Sequence, residues 1–191
     1  MLKAQFSLWR RLGALVTAVL VAAATLIAVS VSPASAASGD RDPSFTPLTL
    51  NSFVSSVTEL TVAPNAGKYL IGGFFTDAGG DAATDYVARM DADGTRDTSF
   101  PPLTLNGFVF SVTGLTVGAE AGKFLVGGFF TDAGGDAATD YVARLNADGT
   151  RDTSFTPLTL DSAVYSVAEV DAGQYLIGGQ FADAGGDAAT E

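Results

Sequence analysis

The sequence predicts an all-β repeat protein built from antiparallel units of about 55 residues. Three observations carry this prediction. Residues 72–89, GGFFTDAGGDAATDYVAR, recur letter for letter at 127–144, and an Asp-x-Ser-Phe tag precedes each unit at 42–45, 97–100 and 152–155. The apolar segments between these landmarks also lack a helical period. Repetition on this scale is typical of architectures in which each unit buries its apolar face against its neighbours.

The repeat region is expected to cover 37–191, with units at about 39–93, 94–148 and 149–191. The third unit reaches Glu191 before its Tyr-Val-Ala-Arg segment, so the sequence holds about two and two-thirds copies. A missing strand leaves a sheet edge open to pairing or aggregation. We therefore expect either a fragment of a longer protein with further units, or a chain that self-associates.

Residues 1–36 have the pattern of a secretory signal peptide. Lys3, Arg10 and Arg11 precede an apolar run at 12–31, and Ala34-Ser35-Ala36 fits the small-residue cleavage pattern. This predicts export to the cell envelope or the extracellular space. Two alternatives stay open: an uncleaved anchor, because the run is long enough to span a bilayer, and a twin-arginine signal at Arg10-Arg11.

The charge balance excludes several classes of partner. Outside residues 1–36 the chain carries seven Lys and Arg against 21 Asp and Glu, a net charge of −14. Phosphate backbones and anionic membranes require clustered basic residues, so we expect no nucleic acid partner and no membrane contact beyond the signal segment. The chain contains no Cys and no His, which removes disulfides, the usual zinc and copper ligands and the usual general base.

The first half of a unit predicts two strands. After a short extended segment at 46–50, the β-branched run at 53–62 indicates a strand with a bulge near Ser55-Ser56. A turn at 64–67 follows. The continuous apolar run at 68–75 predicts a strand buried on both faces, and its paired glycines indicate a close approach of neighbouring strands.

The second half of a unit predicts a loop, a third strand and a hairpin turn. The Gly- and Asp-rich loop at 76–85 leads to a strand at 86–90, with Tyr86, Ala88 and Met90 expected on one face. The Asp-Gly pair at 93–94 supplies the positive φ of a hairpin turn. Three strands, a weaker fourth and no helix are typical of a propeller blade.

The third copy is four residues shorter between its first two strands, at 164–174. The spacing of the double glycine accordingly falls from 55 residues, between 72 and 127, to 51 residues, between 127 and 178. A deletion inside a turn leaves both flanking strands intact, so we expect the strands themselves to be preserved.

Several motifs recurring in order give the chain a family resemblance. The Asp-x-Ser-Phe tag, the Val-rich strand, Gly-Lys-Tyr-Leu-Ile-Gly-Gly-Phe-Phe and then Val-Ala-Arg before Asp-Gly-Thr resemble the delta-60 repeat. The double glycine followed by the Val-Ala-Arg strand is also similar to kelch blades. The resemblance covers 39–191 and implies an exported bacterial β-propeller domain. It implies no catalytic residues.

The acidic turns are the candidate metal sites. Alternating carboxylates before a glycine resemble a shortened calcium loop, and the candidate calcium ligands are Asp91, Asp93, Asp97, Asp148 and Asp152. A second group could contribute oxygens: Asp77, Asp81 and Asp85. The alternative interpretation is a plain hairpin turn, in which Asp and Gly are favoured for backbone reasons. Calcium is the only cofactor that the sequence suggests.

Charged and aromatic side chains within the strands have structural and functional interpretations. Arg89 and Arg144 stand in apolar strands, where a buried charge needs a partner, so we expect each to pair with an Asp such as Asp85 or Asp97. A contact with an anionic ligand is the alternative.

The aromatic residues of the strands could stack on sugars, but a core role is favoured for all of them: Phe45, Phe53, Phe74, Phe75 and Tyr86.

Together these observations predict a non-catalytic module with a binding or structural role outside the cell, whose ligand is a protein or a carbohydrate. The alternative is a secreted propeller hydrolase that cleaves polysaccharide through Asp residues. Against that alternative, the Asp positions repeat with each unit, whereas an active site needs a convergent set of different residues.

Overall fold

The computed structural model describes residues 42–82, 86–101, 103–136 and 141–185. The predicted signal peptide at 1–36, Asp85 and the last six residues lie outside the described residues. The described strands are β1 (Val54–Glu59), β2 (Tyr69–Gly73), β3 (Val87–Met90), β4 (Phe108–Gly114), β5 (Phe124–Phe129), β6 (Val142–Leu145), β7 (Val164–Asp171) and β8 (Gln174–Gly179). Within the described part of the chain, no helix is long and apolar enough to cross a membrane.

The strands form three consecutive antiparallel sheets, which confirms the all-β repeat prediction. Blade 1 has the order β1-β2-β3, blade 2 has the order β4-β5-β6, and blade 3 consists of β7 and β8. The first strand of blade 2 packs on β1 and β2, and the first strand of blade 3 packs on β4 and β5. The blades are therefore successive layers, and each unit uses the next one to cover its apolar face.

Most of the predicted elements are confirmed. The register shifts between Val54 and Ser56, which places the β-bulge at the predicted position. Gly94 has a φ of 87° in the hairpin turn, and an isolated bridge between Met90 and Arg96 closes the hairpin. In blade 3, β7 and β8 are both intact and joined by a tight turn at Gly173, as expected for a deletion confined to the loop.

Three details of the prediction need correction. The weaker fourth strand is reduced to single bridges, such as the one between Leu50 and Ala78. The expected absence of helix is wrong at one place, where a 3₁₀ turn covers Gly118–Glu120. This turn lies in the loop that is four residues shorter in blade 3.

The third correction concerns Tyr86, which strand alternation predicts on one face with Ala88 and Met90. Tyr86 precedes β3 and has a φ of 64°, so the alternation of the strand does not extend to it. Its ring packs with the apolar cluster that contains Val87, whereas Ala88 and Met90 belong to a different cluster. Tyr141 repeats this geometry in blade 2, with a φ of 65°.

The apolar core lies mainly between the blades. One cluster joins Leu60, Leu70 and Val87 of blade 1 to the facing side of blade 2. A second cluster joins blade 2 to blade 3. Because each layer is shared by two units, the stability of one unit depends on its neighbour.

The glycine pairs are places of close approach, as predicted. A Cβ on Gly72 would lie 2.4 Å from a methyl carbon of Val109 in the next blade. A Cβ on Gly73 would lie 2.3 Å from the carbonyl oxygen of Phe53 on the adjacent strand. The absence of a side chain at the first glycine therefore leaves room for the next blade. Its absence at the second glycine leaves room for the backbone just before β1.

Candidate functional site

The recurring charges of each full unit form a buried ion-pair cluster. In blade 1, Asp97 Oδ2 accepts hydrogen bonds from Arg89 Nε at 2.6 Å and from Lys68 Nζ at 2.5 Å. Asp97 Oδ1 accepts from the amide and the hydroxyl of Ser99, at 2.9 and 2.6 Å. The guanidinium of Arg89 also stacks on the ring of Phe100 at 4.8 Å. Every oxygen of this carboxylate therefore has a partner.

Blade 2 contains the same cluster with one change of partner. Asp152 pairs with Arg144 at 2.7 Å and with Lys123 at 2.8 Å, and Ser154 donates to it. Lys123 also contacts Glu120 at 2.6 Å, where Lys68 of blade 1 contacts Asp91. The expectation that Arg89 and Arg144 pair with an Asp is confirmed.

The clusters also join successive blades. Arg89 Nη1 donates to the carbonyl oxygen of Ala147 in the hairpin turn of blade 2, at 2.9 Å, and Asn65 donates to the same oxygen at 2.7 Å. Arg144 Nη1 donates to the hydroxyl of Tyr175 in blade 3 at 3.1 Å. These arginines therefore have a structural role, fixing one blade to the next.

The electrostatics of the cluster keep its carboxylates ionised. Burial alone would raise the pKa of Asp97, but hydrogen bonds from Lys68, Ser99 and Arg89 outweigh it and hold the pKa well below its usual range. The pKa of Lys68 is raised by its hydrogen bonds to Asp97 and Asp91. The pKa values of Asp152 and Lys123 are shifted in the same directions by the equivalent contacts.

The five candidate calcium ligands occupy two different environments. Asp97 and Asp152 belong to the buried clusters, and Asp91 contacts Lys68 at 2.9 Å, so a Lys ammonium lies between Asp91 and Asp97. Asp93 and Asp148 are in the hairpin turns. Each accepts hydrogen bonds from the hydroxyl and amide of the threonine two residues on, which lowers the pKa of both carboxyls.

The second acidic group also has local partners. Asp81 pairs with Arg96 at 2.7 Å, and Asp77 accepts from the amide of Gly80 at 2.8 Å. In the described part of the chain, no group of three or more carboxylates is placed to hold a metal ion. Asp85 lies outside that part. Calcium binding by the acidic turns stays a prediction, which a calcium titration monitored by the melting temperature would test.

A surface rich in aromatic rings lies at one end of blades 1 and 2, where the first and third strands begin and the second strand ends. We define the aromatic surface as Phe53, Phe74, Tyr86, Phe108, Phe129 and Tyr141. Phe74 stacks on Phe53 and on Phe108 of the next blade, both with ring centroids 4.2 Å apart. Tyr86 meets the ring of Phe108 edge-on at 5.7 Å, and Phe129 contacts Tyr141 at 5.9 Å.

The core prediction for these rings is only partly right. Phe75 is fully buried, as expected, but Phe53 is 59% exposed. Phe108 and Phe129, which that prediction did not name, are exposed as well. Phe53 lies just before β1 and Phe129 ends β5, so both rings lie at the rim of a sheet rather than inside it. Sequence reasoning missed this surface because an apolar run does not show where the covered part of a strand ends.

A pocket opens within the aromatic surface. Its volume is about 210 Å³, and its aromatic walls are Tyr86, Phe108, Phe129, Phe130 and Tyr141. Asn106 and Thr131 supply the polar part of the lining, and the amide of Asn106 donates to the hydroxyl of Thr131 at 2.9 Å. The volume is below the ~300–1,000 Å³ of typical ligand pockets, so the pocket suits one small ring.

Comparison with known protein families agrees with this architecture. Two segments, 67–100 and 122–155, match the family model described as "Domain of unknown function (DUF5122) beta-propeller". Each segment runs from the turn before the second strand, through the second and third strands, to the Asp-x-Ser-Phe tag. No curated protein and no solved structure matches the chain significantly.

The fold defines the class as an all-β repeat protein with propeller-like blades, and the two matched segments are similar to a β-propeller family model. The two matched segments leave out the first strand of each blade and most of blade 3. The description of the matching family model assigns no activity. The finer assignment to delta-60 repeats stays a prediction.

Proposed function

We propose that this chain is an exported, non-catalytic β-propeller module that binds carbohydrate through its aromatic surface. The observation that carries the proposal is the exposure of Phe108 and Phe129, which line a small pocket, and of Phe53 on the same aromatic surface. Exposed rings that already have a neighbour on one side offer a rigid, flat, apolar face. The apolar face of a sugar ring is a good match for such a surface.

The chemistry of the pocket supports a neutral ligand. Its described lining carries aromatic rings, an amide and a hydroxyl group, with no charged side chain. The strongly acidic chain disfavours anionic ligands. Asn106 and Thr131 provide polar atoms beside the rings, which is the combination that a polyhydroxylated ring requires.

The arrangement of carboxylates supports a non-catalytic role. Polysaccharide hydrolysis uses two carboxylates that flank the bond being cleaved, about 5–10 Å apart. Asp97 and Asp152 are buried in ion pairs, and Asp93 and Asp148 are held within hairpin turns. The described lining of the aromatic pocket contains no carboxylate. These observations favour a binding role over the hydrolase alternative.

Calorimetric titration of the purified protein against a panel of neutral oligosaccharides tests the proposal. At least one member should bind, and Phe129→Ala should weaken that binding at least about tenfold, a loss of about 1.4 kcal/mol. Phe129→Tyr keeps the flat ring and should retain binding. Leu158→Ala is the matched control, because Leu158 is an exposed apolar residue that lines a separate pocket.

Two outcomes would overturn the proposal. Binding of a protein partner but of no saccharide would show that the aromatic surface is a protein interface. Release of reducing ends from a polysaccharide, surviving repurification and abolished by substitution of an Asp, would make the chain a hydrolase.

A further inference from the structure

Blade 3 presents an uncovered copy of the face that blades 1 and 2 use to bind the next blade. We define the tail face as Ser166, Val170, Leu176 and Gly178. The equivalent residues in blade 2 are Ser111, Leu115, Leu125 and Gly127, and those in blade 1 are Ser56, Leu60, Leu70 and Gly72. In blades 1 and 2 the following blade covers this face.

The difference in exposure is almost complete. Leu125 is 0% exposed, whereas Leu176 at the same position of blade 3 is 66% exposed. Leu115 is 1% exposed, and its counterpart Val170 is 65% exposed. Blade 3 therefore leaves in solvent the apolar side chains that its sister blades bury.

Blade 1 presents the complementary surface at the other end of the chain. We define the head face as Val54 and Val57 of β1. Val57 is 57% exposed, whereas Val112 and Val167, its counterparts, are 5% and 6% exposed because they pack on the preceding blade. The chain thus carries both halves of an interface that it already forms twice internally.

The two faces fit each other through the first glycine of each pair. A Cβ on Gly127 would lie 2.7 Å from methyl carbons of both Val164 and Val167, so the glycine creates the space that this valine pair occupies. Gly72 accommodates Val109 and Val112 in the same way. A Cβ on Gly178 would meet no described atom within 4 Å, so the equivalent space is open.

A hydrogen bond accompanies each internal contact. The hydroxyl of Ser56 accepts from the amide of Val112 at 3.1 Å, and that of Ser111 accepts from the amide of Val167 at 3.2 Å. Ser166 is the equivalent acceptor on the tail face, and the amide of Val57 is the equivalent donor on the head face.

We propose that a second copy of this chain docks its head face on the tail face of the first, and that two copies close head to tail. The contact continues an interface already present between blades 1 and 2 and between blades 2 and 3. A head-to-tail contact forms a ring if its rotation closes. The described blades of two copies number six, within the four to eight of closed propellers.

The rim of this contact makes the docking sensitive to salt. Between blades 2 and 3, Glu169 accepts from the amide and hydroxyl of Thr116, at 2.6 and 2.8 Å. The counterparts in the proposed contact are Glu59 on the head side and Asp171 on the tail side, both exposed. Two carboxylates repel each other, and salt screens exposed charges. Docking should therefore strengthen as the salt concentration rises.

Light scattering coupled to size exclusion, over a range of protein and salt concentrations, tests the proposal on the purified protein. The expected mass is twice that of one chain, with a higher dimer fraction at higher salt. Gly178→Leu should weaken the dimer at least tenfold by filling the space for the valine pair. Val57→Asp should do the same from the head side. Thr98→Asp adds a charge at an exposed turn on neither face and is the matched control.

Mixing the variants distinguishes this contact from a symmetric one. A Gly178→Leu chain keeps its head face and a Val57→Asp chain keeps its tail face, so the mixture should form a heterodimer through one intact contact. Both substitutions are at exposed positions, and circular dichroism of each variant checks folding. A monomer at every concentration and salt, a dimer unaffected by both substitutions, or variants that do not complement each other would overturn the proposal.

Discussion

Blades 2 and 3 share nearly the same strand sequence in different surroundings. In β5, the segment Phe-Leu-Val-Gly-Gly is buried throughout, whereas in β8 the equivalent Tyr-Leu-Ile-Gly-Gly is exposed or half-buried. β5 has a hydrogen-bonded strand on each side and a blade on each face. Among the described residues, β8 pairs only with β7, and one of its faces has no blade over it.

This difference shows that the burial of a strand in a repeat fold is determined by the blades that pack on it rather than by its own sequence. The apolar run at each second strand is compatible with a core position, but only a following blade makes it one. Substitutions at equivalent positions should therefore separate covered from uncovered blades. We expect the largest loss in the free energy of unfolding from substitutions in the ion-pair cluster, a smaller loss from the buried leucine and a still smaller loss from the glycine.

Disruption of the ion-pair cluster should give the largest loss of stability, and this cluster is a feature that distinguishes blades 1 and 2 from blade 3. Blade 3 has Gln174 where blades 1 and 2 have Lys68 and Lys123. Asp97→Asn should destabilise the protein by about 3–5 kcal/mol, because it leaves the buried guanidinium of Arg89 without its carboxylate. Urea unfolding measures the loss. Asp93→Asn, in an exposed turn, is the control and should lower the free energy of unfolding much less than Asp97→Asn.

The leucine pair gives the next effect. Leu125→Ala should reduce the free energy of unfolding by about 2–5 kcal/mol, since it removes a fully buried side chain and leaves a cavity. Leu176→Ala, measured at a dilution at which the chain is monomeric, should change it by less than about 0.5 kcal/mol. Equal losses at the two positions would mean that blade 3 is covered in the monomer.

The glycine pair gives a smaller loss of stability with a different cause, because the substitution adds a side chain where the leucine substitution removes one. Gly72→Ala forces a Cβ to within 2.4 Å of Val109, so we expect a loss of about 1–3 kcal/mol in thermal or urea unfolding. Gly178→Ala meets no described atom within 4 Å and should leave the stability of the monomer unchanged. A similar loss at Gly178 would contradict the open tail face.

Acid should weaken blades 1 and 2 more than blade 3. The pKa values of Asp97 and Asp152 are lowered in the folded state, so the stability that they contribute is present above the ordinary carboxyl pKa of about 4. It is lost as the pH falls through the folded-state pKa. The melting temperature should therefore drop below about pH 4, and Asp97→Asn should flatten that drop. An unchanged acid profile in the variant would contradict this role.

The sequence was sufficient to predict the repeat, the strands, the bulge at Ser55 and the pairing of Arg89, because local patterns and the cost of an unpaired buried charge determine them. It did not reveal the positive φ of Tyr86, since a backbone reversal before a strand leaves no signature in alternation. It also did not place Phe53 at an exposed rim. The exposure of Phe53 depends on which blade lies beside it, and the sequence of one unit does not indicate which of its residues a neighbouring blade covers.

Hydrogen exchange measured by mass spectrometry on the monomeric chain tests the central claim most directly, by comparing peptides from β5 and β8. If a blade is protected only by its neighbours, the amides of β5 should exchange at a rate set by global unfolding, and those of β8 should exchange much faster. Equal protection of the two strands in the monomer would contradict the claim that the same sequence is core in one blade and surface in the other.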